Sequence, residues 1–234
     1  MNIKFKTLIF LCFVFSLLKQ SLAHELKKNE INSIIKNFIL DNPQLIEKTL
    51  QNLNLERSKR NFEVAITDLR KISNPKLKNA NSDITIYEFF DYNCGYCKSV
   101  MQNIFNIYKK DKKIEVVFVE YPILSNSSLS AAITSLAAIN QNKYFEFHTK
   151  LMKHTGKIDD KLLLSFAKEL KIDIKKLKSD YSNKKLMLII NKNREIASRL
   201  NLRGTPAFII GNKIYPGAMS EKDIEKAIAL ERKR

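Results

Sequence analysis

Two cysteines, Cys94 and Cys97, flank Gly95-Tyr96 at the point where a strand-like run gives way to a helix-like one. Upstream, Ile84-Thr85-Ile86-Tyr87-Glu88-Phe89-Phe90 is rich in β-branched and aromatic residues and reads as a buried strand. Asp91 to Asn93 reads as a turn, and a helix is expected from about Cys94 to Lys110. Ile114 to Glu120 is apolar almost throughout, as a strand is when both faces of its sheet are covered. Strand, helix, strand in this order argues for a parallel pair joined by a right-handed crossover. Near the other end, Ala207 to Ile210 and Lys213 to Tyr215 flank Gly211-Asn212, a hairpin signal. A closing helix from about Ser220, with Asp223 near its start, ends on the basic residues Arg232 to Arg234. The fold class is therefore α/β. Between its halves, Leu129 to Leu200 reads as four or five helical pieces: an alanine-rich stretch from Ser130 to Ile139, an amphipathic one from Tyr144 to Lys153, and a helix start at Asp159-Asp160.

The amino-terminal residues belong to a different category. Lys4 and Lys6 precede an apolar run from Thr7 to Leu18, and Ser21-Leu22-Ala23 offers small residues for a signal peptidase. Such a run reaches roughly 18 Å as a helix, short of a ~30 Å hydrocarbon core. A signal peptide of residues 1–23, cleaved after Ala23 to leave His24 first, is the expectation, with an uncleaved anchor as the competing reading. Export places the mature chain in the periplasm, where disulfides persist. Cys12 leaves with the signal, so Cys94 and Cys97 remain. Two cysteines so close in sequence close a loop too small to stabilise a fold much, so chemistry is the better reason for the pair.

From Glu25 to about Ile72 the periodicity is helical. Ile31, Ile34, Ile35 and Phe38 form one stripe, Ile46, Leu50 and Leu53 a second, and Phe62, Ala65, Ile66 and Leu69 a third. Asn42-Pro43 interrupts and Asn74-Pro75 closes the region. The division expected is an extension over 24–75 and a domain over 76–234 with a helical insertion at about 125–200. Three apolar stripes must be buried, either against the rest of the chain or in a homo-oligomer.

The net charge of +17 falls to +14 once Lys4, Lys6 and Lys19 leave with the signal. The lysines are interleaved with Asp and Glu along every segment, which describes a solvated surface rather than a nucleic-acid footprint.

A C-x-x-C pair also supplies half of a structural zinc site, but such a site takes four ligands. There is no second cysteine pair, and His24, His148 and His154 show no ligand spacing relative to the motif. No metal site and no cofactor are expected. Placed at a helix N-terminus, Cys94 meets unpaired backbone N–H groups that favour its thiolate. Cys97, one turn on and inward, is the resolving thiol, while Gly95 and Tyr96 tune the pair. Glu88, six residues before Cys94 among apolar neighbours, is a candidate buried acid that exchanges a proton with Cys97, or else a solvent-facing edge residue. Gly204-Thr205-Pro206 precedes the late strand; a proline there lacks a ladder N–H and can be cis, leaving adjacent backbone groups for an extended client.

Phe89-Phe90-Asp91-Tyr92-Asn93-Cys94-Gly95-Tyr96-Cys97-Lys98, with Gly204-Thr205-Pro206-Ala207-Phe208, resembles the DsbA family of periplasmic enzymes with a thioredoxin-like fold. Tyr121-Pro122-Ile123-Leu124 also looks familial. The resemblance implies a thioredoxin-like fold with an inserted helical domain. It also implies Cys94 as nucleophile, Cys97 as resolving cysteine, Glu88 as buried acid, and Pro206 as the cis-proline, with Thr205, Tyr96 and Gly95 meeting the substrate. The Gly-Tyr dipeptide and the threonine before the proline resemble the disulfide isomerases of the DsbC type. Asn37-Phe38-Ile39-Leu40-Asp41-Asn42-Pro43 is similar to the N-terminal helices of the copper-sensitivity suppressor C and Com1-like branch, where that region can oligomerise. The function expected is a thiol–disulfide oxidoreductase for exported cysteine-containing proteins, recycled by a membrane redox partner and working as isomerase, reductase or oxidase. The alternatives are a periplasmic copper-binding protein using both thiolates and a non-catalytic, chaperone-like surface protein.

Overall fold

The computed structural model describes residues 27–233. The expected signal peptide, its cleavage site after Ala23, and His24 lie outside the described residues. The chain divides into two compact units between Arg60 and Asn61.

In the first unit, α1 covers residues 27–41 and α2 begins at Pro43. The break falls at Asn42, whose side-chain amide donates to the Phe38 carbonyl at 2.7 Å. Proline is well suited to the first helical position, where its missing N–H would be unpaired anyway. The first two apolar stripes are present as expected. Ile31, Ile34, Ile35, Phe38, Ile46, Leu50 and Leu53 are all exposed in the single chain.

α2 runs on without interruption to Lys71 (Pro43–Lys71), so the second and third stripes share one helix. Ala65, Ile66 and Leu69 are buried in the second unit. The compact boundary therefore falls within the stretch expected as a 24–75 extension, because these three side chains join the sheet's own core.

The second unit is built on a five-stranded sheet in the order β1-β3-β2-β4-β5. β2 (Ile84–Phe90) and β3 (Ile114–Glu120) are parallel, with Ile84 opposite Ile114 and Phe90 opposite Glu120. α3 (Gly95–Lys110) makes the crossover. β4 (Ala207–Ile210) pairs antiparallel with the other side of β2, Phe208 facing Glu88, and β5 (Lys213–Pro216) pairs with β4. The intervening turn requires Gly211, at φ +57°, where a Cβ would lie 2.5 Å from the Glu231 carboxylate. β1 (Lys76–Lys78), antiparallel to β3, is not signalled in the sequence, being three residues of which two are lysine.

Alternation along the strands splits the core in two. Ile86, Phe90, Ile114, Val116 and Phe118 face one side, and Tyr87, Phe89, Val117 and Val119 the other. The second side is covered by Ala65, Ile66 and Leu69 of α2 and by Ile196 and Ala197 of α8 (Lys184–Arg199). The first side is covered by α3, by α9 (Glu221–Arg232), and by the helical insertion. The insertion comprises α4 (Asn126–Ala137), a 3-10 turn (Ala138–Gln141), α5 (Tyr144–Lys153), α6 (Asp160–Glu169), α7 (Ile174–Tyr181) and α8. Side chains of Ser125, Asp159, Asp173, Asn183 and Ser220 cap α4, α6, α7, α8 and α9, each accepting a first-turn N–H.

Candidate active site

The central strand β2 delivers the chain to the cysteines at its carboxyl end. After Phe90, the turn Asp91-Tyr92-Asn93 places Cys94 as the N-cap of α3 in an extended conformation, φ −81° and ψ 112°. Its Sγ accepts the Cys97 N–H at 3.2 Å, and its own N–H donates to the Asp91 carbonyl at 3.1 Å. The Cys94 sulfur thus sits at the amino end of α3 with a first-turn N–H aimed at it. Both cysteines are free thiols and buried, Cys94 retaining 6% exposure and Cys97 none.

The turn is fixed by its acid. Asp91 is buried; its Oδ1 accepts the Asn93 N–H at 2.8 Å and its Oδ2 the N–H groups of Ile123 and Leu124 at 2.8 and 3.0 Å. The Tyr121-Pro122-Ile123-Leu124 segment is thus the loop that braces the cysteine turn. The Asn93 amide nitrogen lies 2.8–3.1 Å from the hydroxyls of Ser125, Ser127 and Ser128, adding a second tie to the start of α4.

The other half of the site comes from the far end of the chain. The Thr205-Pro206 peptide is cis, and the Cys94 thiol donates to the Thr205 carbonyl at 3.2 Å. The buried Thr205 hydroxyl meets no partner at full hydrogen-bond geometry, yet it lies near enough to Cys97 to favour its ionised form. Burial dominates, however, and with the adjacent Cys94 sulfur it pushes the Cys97 thiol far up. Cys97 therefore stays protonated until the site opens or a base takes its proton. Gly95 and Tyr96 lie on the exposed rim, Tyr96 with 72% of its surface free and Gly95 with open space where a Cβ would stand. Cys94, Cys97, Thr205, Pro206, Gly95 and Tyr96 are thus brought together.

Glu88 is buried, with 1% exposure, and is not an edge residue. Loss of hydration pushes its carboxyl up to about 8, and its Oε1 has no hydrogen-bond partner among the described residues. It makes no hydrogen bond to either cysteine; beyond burial, it is one of the smaller causes that push the Glu120 carboxyl up.

Glu120 leads to a group of residues that sequence reasoning missed. Its Oε1 accepts the hydroxyls of Tyr92 and Tyr144 at 2.8 and 2.9 Å, and the Tyr92 hydroxyl lies 3.1 Å from His148 Nδ1. All four side chains are buried. Burial pushes Glu120 well above the usual carboxylate range and holds His148 down to about 3. A glutamate ending the apolar run Val116-Val117-Phe118-Val119 was the available signal.

Among the described residues no group of three or more His, Cys, Asp or Glu is arranged to hold a metal ion. No described helix is long and apolar enough to cross a membrane.

A family model described as Thioredoxin matches residues 77–229. Among solved structures, a thioredoxin-like oxidoreductase from Silicibacter pomeroyi is 34% identical at TM-score 0.67, covering 69% of this chain and 93% of that one. The thiol-disulfide exchange protein alpha-DsbA2 from Wolbachia pipientis is 29% identical at TM-score 0.69, covering 74% and 95%. A Proteus mirabilis ScsC variant reaches further, over 88% of this chain and 95% of its own, at TM-score 0.69; at 20% identity it speaks for the fold alone. The curated relative Na(+)/H(+) antiporter NhaA 1 of Salinispora arenicola is 22% identical over 147 residues, 62% of this chain. The chain spans about a fifth of that relative's length, 22%.

Proposed function

The chain belongs to the thioredoxin family, and on that premise we propose that it is a DsbA-like thiol–disulfide oxidoreductase acting on exported proteins. The observation that carries this reading is Cys94 itself: a buried N-cap sulfur held between the Cys97 N–H and the Thr205 carbonyl. A thiolate there attacks one sulfur of a client disulfide; that S–S bond breaks, a mixed disulfide forms, and the client's other sulfur leaves as thiolate. Cys97, once deprotonated, attacks Cys94 Sγ, closes the Cys94–Cys97 disulfide and releases the reduced client. Run in reverse, the same steps oxidise a client. An extended client segment lies along Thr205 and Pro206 with Tyr96 and Gly95 at its flank, and Glu88 supplies a buried acid near neutrality.

The Gly95-Tyr96 dipeptide and Thr205 favour isomerase or reductase work over simple oxidation. The exposed stripes of α1 and α2 support a homo-oligomer through residues 24–75, since half-exposed Ile31, Ile34, Ile35 and Phe38 are unfavourable in water. The compartment is the periplasm, with a membrane redox partner recycling the pair.

A redox titration of the protein in glutathione buffers, read by thiol trapping and mass, tests the reading. A disulfide that titrates cooperatively is expected. A potential near the ~−120 mV extreme makes the pair a strong electron acceptor, to be followed by side-by-side oxidation and isomerisation assays. A potential well below ~−200 mV points to a reductase. If no disulfide titrates, the exchange chemistry is wrong, and tight stoichiometric Cu(I) binding by the two thiolates becomes the reading to pursue.

A further inference from the structure

Lys98 stands one helical turn beyond Cys94. Its N–H donates to the Cys94 carbonyl at 3.1 Å, so the two residues share a face of α3. Long side chains on a helix lean toward its N-terminus, which carries the Lys98 chain back toward the sulfur. The ammonium does not swing freely. It donates to the His154 carbonyl at 2.7 Å, and His154 is the C-cap of α5, where unpaired carbonyls make the helix end negative. The His154 ring in turn packs edge-on against Phe166 of α6, 5.8 Å between centroids. One N–H of the ammonium is thereby spent on fixing its position, and two remain.

Partial burial lowers the proton affinity of that ammonium, and two groups, Asp91 and Cys94, act against it. Asp91 is already engaged, its two oxygens accepting three backbone N–H groups. Cys97 is held in its neutral form by burial. The anion that the exchange chemistry itself generates at this end of α3 is a Cys94 thiolate, toward which the Cys97 N–H is directed.

We propose that Lys98 is the fixed counter-charge of the Cys94 thiolate, anchored by the end of α5, and that it sets how oxidising the cysteine pair is. The proposal rests on the exchange reading above. The oxidised pair and two glutathione thiols give the Cys94 thiolate, the Cys97 thiol, one proton and one glutathione disulfide. Two electrons pass to the protein, whose S–S bond breaks as the glutathione S–S bond forms. A cation beside the product thiolate draws this equilibrium toward reduction. It also makes Cys94 the better leaving group when a second client or glutathione thiolate attacks the outer sulfur of the mixed disulfide.

The test compares the full-length protein with its Lys98→Gln, Lys98→Met and Lys98→Arg variants in glutathione buffers at low and high salt. Lys98→Gln keeps a donor for the His154 carbonyl while removing the charge. Lys98→Gln and Lys98→Met are expected to lower the equilibrium constant for reduction about tenfold, a shift of about 30 mV toward reducing potentials. Lys98→Arg should stay within about twofold of the parent. The difference should shrink only modestly at high salt, because the Cys94 sulfur is buried and salt screens such a pair weakly. A parent-like midpoint in Lys98→Gln, whatever happens to its melting temperature, would overturn the proposal and leave Lys98 a structural tie between α3 and α5. Absence of a titrating disulfide in all four proteins would instead defeat the exchange reading itself.

Discussion

Glu88 sits buried in the middle of the sheet with no hydrogen-bond partner for Oε1 among the described residues, and its protonation is therefore coupled to folding. Its carboxyl is pushed up to about 8, above its value in the unfolded chain. The folded state thus binds the proton more tightly, so its stability is full below the unfolded value near pH 4.5 and drains away as pH rises through about 8. Over that window the loss is on the order of 5 kcal/mol. Glu88→Gln should remove this slope, so urea denaturation of the two proteins at several pH values should give a difference that grows from pH 5 to pH 8. A constant difference would mean that Glu88 is hydrated. At the cysteines, Cys97→Ser leaves the nucleophile without its resolving thiol, so mixed disulfides with clients or glutathione should accumulate, and Cys94→Ser should form none; non-reducing mass spectrometry reads both. The placement of Cys94, Cys97 and Pro206 was legible, because they stand in short local motifs. That of Glu120, Tyr92, Tyr144 and His148 was not, since their meeting depends on α5 packing over the end of β3, which no local spacing encodes.

The elements matter chiefly as braces. β2 and β3 end side by side; Asp91 ties the turn after one to the loop after the other through the Ile123 and Leu124 N–H groups, and accepts a third, from Asn93, within its own turn. Asp91→Ala removes the acceptor of those partly buried donors, and should cost about 1–3 kcal/mol in urea denaturation, together with slower reaction at Cys94. A smaller effect belongs to Tyr92→Phe, which deprives Glu120 of one of its two phenol donors and His148 of its partner; about 1–2 kcal/mol is expected. Strands β2 to β5 and the helices were visible in the sequence through periodicity and caps. β1 was not, because Lys-Leu-Lys has no pattern to read and acquires its strand geometry only from the neighbouring edge of β3.

For the molecule as a whole, the division at Arg60 and Asn61 makes truncation informative. Removing the chain through residue 60 should abolish the self-association proposed above, read by analytical ultracentrifugation, while leaving a cooperatively unfolding, glutathione-reactive remainder. Removing it through residue 72 also takes Ala65, Ile66 and Leu69 from over Tyr87, Phe89, Val117 and Val119, and should cost on the order of 5 kcal/mol more. Identical stability of the two truncations would contradict the burial of that last stretch of α2. The contact between the Cys94 sulfur and the Thr205 carbonyl spans 111 positions of chain. Synthesis proceeds from the amino terminus, so the thiols emerge long before the peptide that will cover them exists. In the nascent chain Cys94 is an ordinary unguarded cysteine. Selectivity among disulfide partners arrives with the last hairpin, once β4 has slotted against β2, and a product cut short before residue 204 would carry reactive sulfur with no client groove to discipline it.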